Sequence, residues 1–154
     1  MQAVIFNRAF ETRTSIVLAI VAALATCALV PSFGFNDYAA GTLAFYVAPA
    51  LIFSLLATWA SLPPGGSLGA VTAFSSLMFL QTYWEVLLYR KPNSMPGFFF
   101  LFVCVPLSSI ALLASTMLLR RWYFTAPVAN WGLSFLVVSA PFGILLIKSF
   151  VRQW

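Results

Sequence analysis

Four stretches of this chain carry no charged side chain. They run from Thr14 to Asn36, Tyr38 to Trp84, Pro92 to Leu119 and Trp122 to Ile147. A hydrocarbon core about 30 Å thick is crossed by roughly 20 apolar residues in a helix. Each stretch is long enough to cross, and the second is long enough to cross twice. Backbone groups in lipid need partners within the protein, which leaves helices or a closed barrel. Barrel strands alternate apolar and polar residues, whereas these runs are continuously apolar. The expected fold class is all-α, a polytopic transmembrane helical bundle forming one integral membrane domain over residues 1–154.

Composition agrees. The chain is 62% hydrophobic and 7% charged, where a soluble domain carries about 25% charged residues. Such a chain lacks the polar side chains to cover an apolar core in water. The net charge of +5 does not point to nucleic acid, because the eight basic residues sit at segment ends: Arg8 and Arg13, Arg90 and Lys91, Arg120 and Arg121, Lys148 and Arg152. Membrane proteins meet anionic headgroups at such places, so membrane lipids are the expected partners. No histidine occurs, which removes His-ligated haem and most zinc or di-iron chemistry. The three acids, Glu11, Asp37 and Glu85, are far apart in sequence. No metal or cofactor is expected. Cys27 and Cys104 lie inside different apolar runs, which gives no disulfide framework. The stretch "LATC" (24–27) has the outline of a lipoprotein cleavage box. Thr26 stands where a small Gly or Ala is wanted, however, and the run continues to Val30, so an uncleaved first span is expected.

Turn residues divide the runs. Residues 1–13 read as a polar lead lying along the membrane interface. Spans follow at about 14–30, 39–62, 67–89, 97–119 and 127–147, separated by "PSFGFND", "PPGGS", "RKPNSMPG" and "RRWYFTAP". Neither Pro-Pro nor Gly-Gly propagates a helix, so PPGGS cuts the longest run in two. Ser67 and Thr125 are candidate N-caps. Five spans put four basic residues at each side, and the positive-inside rule then gives no orientation. Four spans, with half of residues 38–84 re-entrant, would give a six-to-two split. Five is the reading adopted, four is its alternative, and insertion in both orientations is a third option that the tie permits.

Among candidate functional residues Glu85 comes first. Gln81 (i−4), Thr82 (i−3) and Tyr89 (i+4) share its helical face. A carboxylate inside a membrane is a functional site by default, as a proton or cation site. Against this, Tyr83, Trp84 and Tyr89 resemble an interfacial aromatic belt, where a Glu sits at little cost. Arg120, Arg121 and Trp122 could hold a lipid headgroup, or could simply anchor a loop. Pro49, Pro106 and Pro141 fall within spans and tend to kink them. Small-residue faces run along the spans: Ser15, Ala19, Ala22, Ala23 and Thr26; Ala50, Ser54, Thr58 and Ser61; Ser108, Ala111 and Ser115; Ser139 and Gly143. Such faces let helices approach closely. The Phe98, Phe99, Phe100 and Phe102 cluster is expected to face lipid or a partner.

An enzyme is not expected: no nucleophile-base pair, phosphate loop or metal cluster can be read. The expected function is that of a helical membrane protein packing against another integral membrane protein or itself, as a subunit, regulator or immunity-type partner. A small transporter or channel using Glu85 is the alternative. The expected location is a bacterial inner membrane.

Overall fold

The computed structural model describes residues 8–30, 39–84, 86, 100–121 and 126–151. These residues form α1 (Arg8–Ala28), α2 (Ala39–Trp59), α3 (Gly66–Tyr83), a π-helical turn (Phe100–Cys104), α4 (Val105–Arg121) and α5 (Pro127–Val151). The molecule is all-helical among them. Three helical stretches are long and apolar enough to cross a membrane: Ala9–Ala28, Leu101–Arg121 and Pro127–Ile144. Leu43–Trp59 of α2 is apolar but shorter. In α3, glycines and hydroxyl residues dilute the apolar side chains over 18 residues.

Element boundaries differ from the sequence expectation in physically informative ways. Residues 8–13 are not a separate interfacial lead; they form the first turns of α1, continuous with the span. Nothing in "RAFETR" breaks a helix, and Glu11 in that first turn is buried. The last turn of α1 tightens into i→i−3 bonds, Leu29 N–H to Thr26 O at 3.1 Å and Val30 N–H to Cys27 O at 3.0 Å. Such bonds satisfy carbonyls that an ending helix leaves orphaned. Ser67 is not the N-cap of α3. That position belongs to Gly65, at φ +89°, while Ser67 lies inside the helix. The other expected cap, Thr125, lies outside the described residues.

α2 runs through Pro49, which is fully buried, and α5 runs through Pro141. Pro106 occupies the second position of α4, directly after the π-helical turn. A proline lacks the N–H for an i→i−4 bond, and here that gap coincides with the change of helical register. Pro127 opens α5, a position where a missing N–H costs nothing.

Helix directions follow from which residues meet. α3 is central, packed against α1, α2 and α5. The Gly65–Gly69 start of α3 lies against Pro127–Trp131 at the start of α5. Glu11, at the start of α1, reaches Gly65 and Leu68. Thus α1, α3 and α5 run the same way from one end of the bundle. α2 runs opposite to α3: Ala57 meets Ser67, and Phe53 stacks on Phe74 with ring centroids 4.6 Å apart. Leu119, near the end of α4, lies beside Gly66, so α4 also runs opposite to α3.

Large apolar side chains such as Phe53, Phe74, Met78 and Leu119 share the interior with many small and hydroxyl residues. Ser15, Thr26, Ser54, Ser75, Thr82, Ser108, Ser115, Asn130 and Ser134 are interior, together with Ala19, Ala23, Ala50, Ala57, Ala70 and Ala73. Bulky apolar side chains point outward, among them Val17, Val21, Leu55, Leu80, Phe102, Ile110, Leu113, Met117, Leu136 and Ile144. Lipid tails are as apolar as leucine, so helix interfaces in a bilayer are enriched in small and hydroxyl residues, and many bulky apolar side chains can face the lipid. The structure therefore supports an integral membrane protein.

Candidate functional site: a braced turn at one end of the bundle

The described residue with the most unusual environment is Glu11, which is only 5% exposed. One of its carboxylate oxygens accepts the Gly65 N–H at 3.0 Å and the Leu68 N–H at 3.3 Å. Both donors belong to the exposed-by-default set of N–H groups that begins every helix. A carboxylate there meets the positive end of the helix dipole, and bonds to an ionised acceptor are stronger than neutral ones. Thus α1 caps α3 from across the bundle.

Two further side chains brace the same turn. Ser67 Oγ donates to the Ala57 carbonyl at 3.1 Å, tying α3 to the last turn of α2. Asn130 Nδ2 donates to the Pro64 carbonyl at 3.0 Å, tying α5 to the turn. The Pro63–Gly66 loop closes itself with Gly66 N–H to Pro63 O at 2.9 Å. Side chains from three helices therefore satisfy backbone groups of residues 57–68. Buried without a partner, such groups would each cost about 1–3 kcal/mol.

Glycine is required here for two separate reasons. Gly65 has φ +89°, where L side chains are strained, and a Cβ on it would collide with the Pro127 carbonyl. Gly69 is helical, but a Cβ on it would collide with the Trp131 carbonyl. The backbones of α3 and α5 are in contact at this end.

Deeper in the bundle several hydroxyls bond within their own helices. Thr26 donates to Ala22 O at 2.7 Å, Thr72 to Leu68 O at 2.9 Å, Thr82 to Met78 O at 2.9 Å, Ser109 to Val105 O at 2.6 Å and Ser115 to Ala111 O at 3.0 Å. Among the described residues, the buried serine hydroxyls of Ser15, Ser75, Ser108 and Ser134 have no hydrogen-bond partner.

The residues singled out from sequence fall into different places. Glu85, Tyr89 and Trp122 lie outside the described residues. Gln81 is half-buried near the end of α3, and Thr82 is fully buried, its hydroxyl bonded to its own helix. Arg120 and Arg121 are exposed at the end of α4. Cys27 and Cys104 are both buried and free. On α4, and on α1 except for half-buried Ala22, the small-residue faces point inward. On α2 the buried line is Ala50, Phe53, Ser54 and Ala57, and Ser61 is exposed. On α5 the Ser139 and Gly143 face is only half-buried, and the interior face is Asn130, Ser134, Val138 and Phe142. Phe102 is exposed, as expected; Phe98 and Phe99 lie outside the described residues.

A groove of about 360 Å³ opens on the outer surface between α1 and α3. Ala22, Thr72, Ser75 and Ser76 give it a small-residue floor, flanked by Leu18, Phe79 and Leu80. Leu18 is the middle residue of α1, and Ser75 is at the middle of α3.

No protein-family model matches the chain, and no curated protein and no solved structure matches it either.

Proposed function

We propose that the chain is a five-span membrane protein of a bacterial inner membrane. It acts by packing its helices against another integral membrane protein, in the manner of a subunit, regulator or immunity-type partner, and not as an enzyme. The observation that carries this reading is where the polar chemistry goes. The buried carboxylate of Glu11, the Asn130 amide and the interior hydroxyls of Thr26, Ser54, Ser67, Thr82 and Ser115 bond to backbone groups of this chain. The outer surface offers bulky apolar side chains interrupted by the small-residue groove between α1 and α3. A small-residue depression on a bulky exterior is what close helix–helix contact in lipid uses.

The alternation of helix directions supports five spans over four. α2 and α3 lie antiparallel, with 21 and 18 residues. At 1.5 Å per residue these reach about 31 and 27 Å, close to the hydrocarbon thickness.

Filling the groove tests the reading. In mild detergent the wild-type chain is expected to run as a complex with a second membrane chain of defined stoichiometry. Ser76→Trp is expected to abolish that complex while leaving insertion and helicity unchanged. A wild-type chain that purifies as a monomer, or a Ser76→Trp variant that keeps its partner, would sink the packing reading at this groove.

A further inference from the structure

Contacts across the bundle bring residues of three helices to the depth at which α3 begins. Glu11 of α1 meets Gly65 and Leu68. Ala57 of α2 meets Ser67. Leu119 of α4 lies beside Gly66, where a Cβ would meet its side chain at 3.3 Å. From these anchors the levels of nearby residues follow. Arg13 lies two residues deeper than Glu11, and Arg120 and Arg121 lie one and two residues outward of Leu119. At 1.5 Å per residue the three arginines fall within about 6 Å of one another in depth.

All three are exposed. Arg13 shares its face of α1 with exposed Phe10 and Val17, and Arg120 continues the face of exposed Leu113 and Met117 on α4. A cation on a lipid-facing surface is costly in hydrocarbon, and a long side chain escapes that cost by carrying its charge to the interface. Both outer faces therefore pass from bulky apolar side chains to guanidinium groups at one level. Trp59 closes α2 two residues outward of Ala57, at the same level, and is 83% exposed. Tryptophan is enriched at headgroup depth, so a second residue type places the membrane boundary there.

Glu11 is the one acid among the described residues. It occupies this level too, yet it is buried and its carboxylate accepts the Gly65 and Leu68 N–H groups. Among the described residues this end therefore shows its surroundings guanidinium groups and no carboxylate. The complementary partner at a bilayer surface is a phosphate with a net negative charge, which a guanidinium can hold through two parallel hydrogen bonds.

We propose that this end of the bundle docks the headgroups of anionic phospholipids through Arg13, Arg120 and Arg121, and that the inward turn of Glu11 keeps the edge cationic. The groove between α1 and α3 plays no part in this, so the proposal stands apart from the packing partner.

The test reconstitutes the full chain in phosphatidylcholine vesicles and measures, by electron spin resonance, how strongly spin-labelled phosphatidylglycerol and phosphatidylcholine associate with it. Phosphatidylcholine carries the same phosphate offset by its own cation, so the ratio reports net headgroup charge. The wild-type chain is expected to prefer phosphatidylglycerol about fivefold at low salt. The preference is expected to shrink towards one near 1 M salt, where the screening length is about 3 Å. Arg13→Gln, Arg120→Gln and Arg121→Gln together are expected to remove most of it. Ala126→Glu leaves the arginines in place and adds a carboxylate at an exposed position beside Pro127, which touches Gly65 at this end. It is expected to lower the preference about twofold. A wild-type ratio near one, or a triple variant with the wild-type ratio, overturns the proposal. Should the triple variant fail to fold, Ala126→Glu decides, and an unchanged ratio there overturns it.

Discussion

Two pairs of glycines occupy two regions of this molecule. Gly65 and Gly69 sit where α3 touches α5, and a side chain on either would enter a backbone carbonyl. Gly132 and Gly143 sit on α5 with open space where a Cβ would go. The residue type is the same and the physical role is opposite. At the braced end glycine is demanded by contact. Along the outer part of α5 it leaves unoccupied surface. The contrast separates small residues that hold the fold from those that shape the exterior.

The largest effect expected from this comparison is at Gly69. Gly69→Val forces the α3 and α5 backbones apart, and overpacking of this kind costs about 1–3 kcal/mol or more. Loss of the folded form in detergent, read by cooperative thermal unfolding, is the expected result; a variant with unchanged unfolding would remove the close contact as a determinant.

Next comes Glu11→Ala, which orphans the Gly65 and Leu68 N–H groups at roughly 1–3 kcal/mol each. Hydrogen exchange is expected to accelerate at those two amides before it does so in the middle of α3. Equal acceleration throughout would mean that the carboxylate is not a local cap.

Asn130→Leu removes a single bond to the Pro64 carbonyl, with an expected loss of about 1–2 kcal/mol in the same unfolding assay. Smallest of all, and opposite in sign, are Gly132→Ala and Gly143→Ala. An open helical glycine replaced by alanine gains about 0.4–1 kcal/mol. If either proves as damaging as Gly69→Val, the division into contact and open glycines fails.

Much of the helical pattern could be read directly from charge-free runs and from PPGGS, because lipid length and turn chemistry are local constraints. The braced turn could not. Glu11 is flanked by Arg8 and Arg13, which gave it the look of an interfacial residue, while its partners lie 54 and 57 positions onward. Capping rules describe neighbours along the chain and so point to Ser67; here the capping oxygen comes from another helix. On α5 two faces share i, i+4 spacing, Asn130 with Ser134 and Ser139 with Gly143. Spacing has no preference between them. What decided it was the Gly65–Gly69 contact, which turns the Asn130 face inward.

The bond from Glu11 to the start of α3 also has a place in time. A chain emerges from its N-terminus at about 5–20 residues per second. The carboxylate on α1 therefore exists for roughly 3–11 s before the amides that receive it are made. The Asn130 amide, 66 positions beyond Pro64, follows later still. Until then the first span carries an acid with no partner among the residues yet synthesised in α3, and such a group favours water or headgroups over hydrocarbon. The contact that caps α3 in the finished protein is therefore one that only a chain synthesised past Leu68 can make.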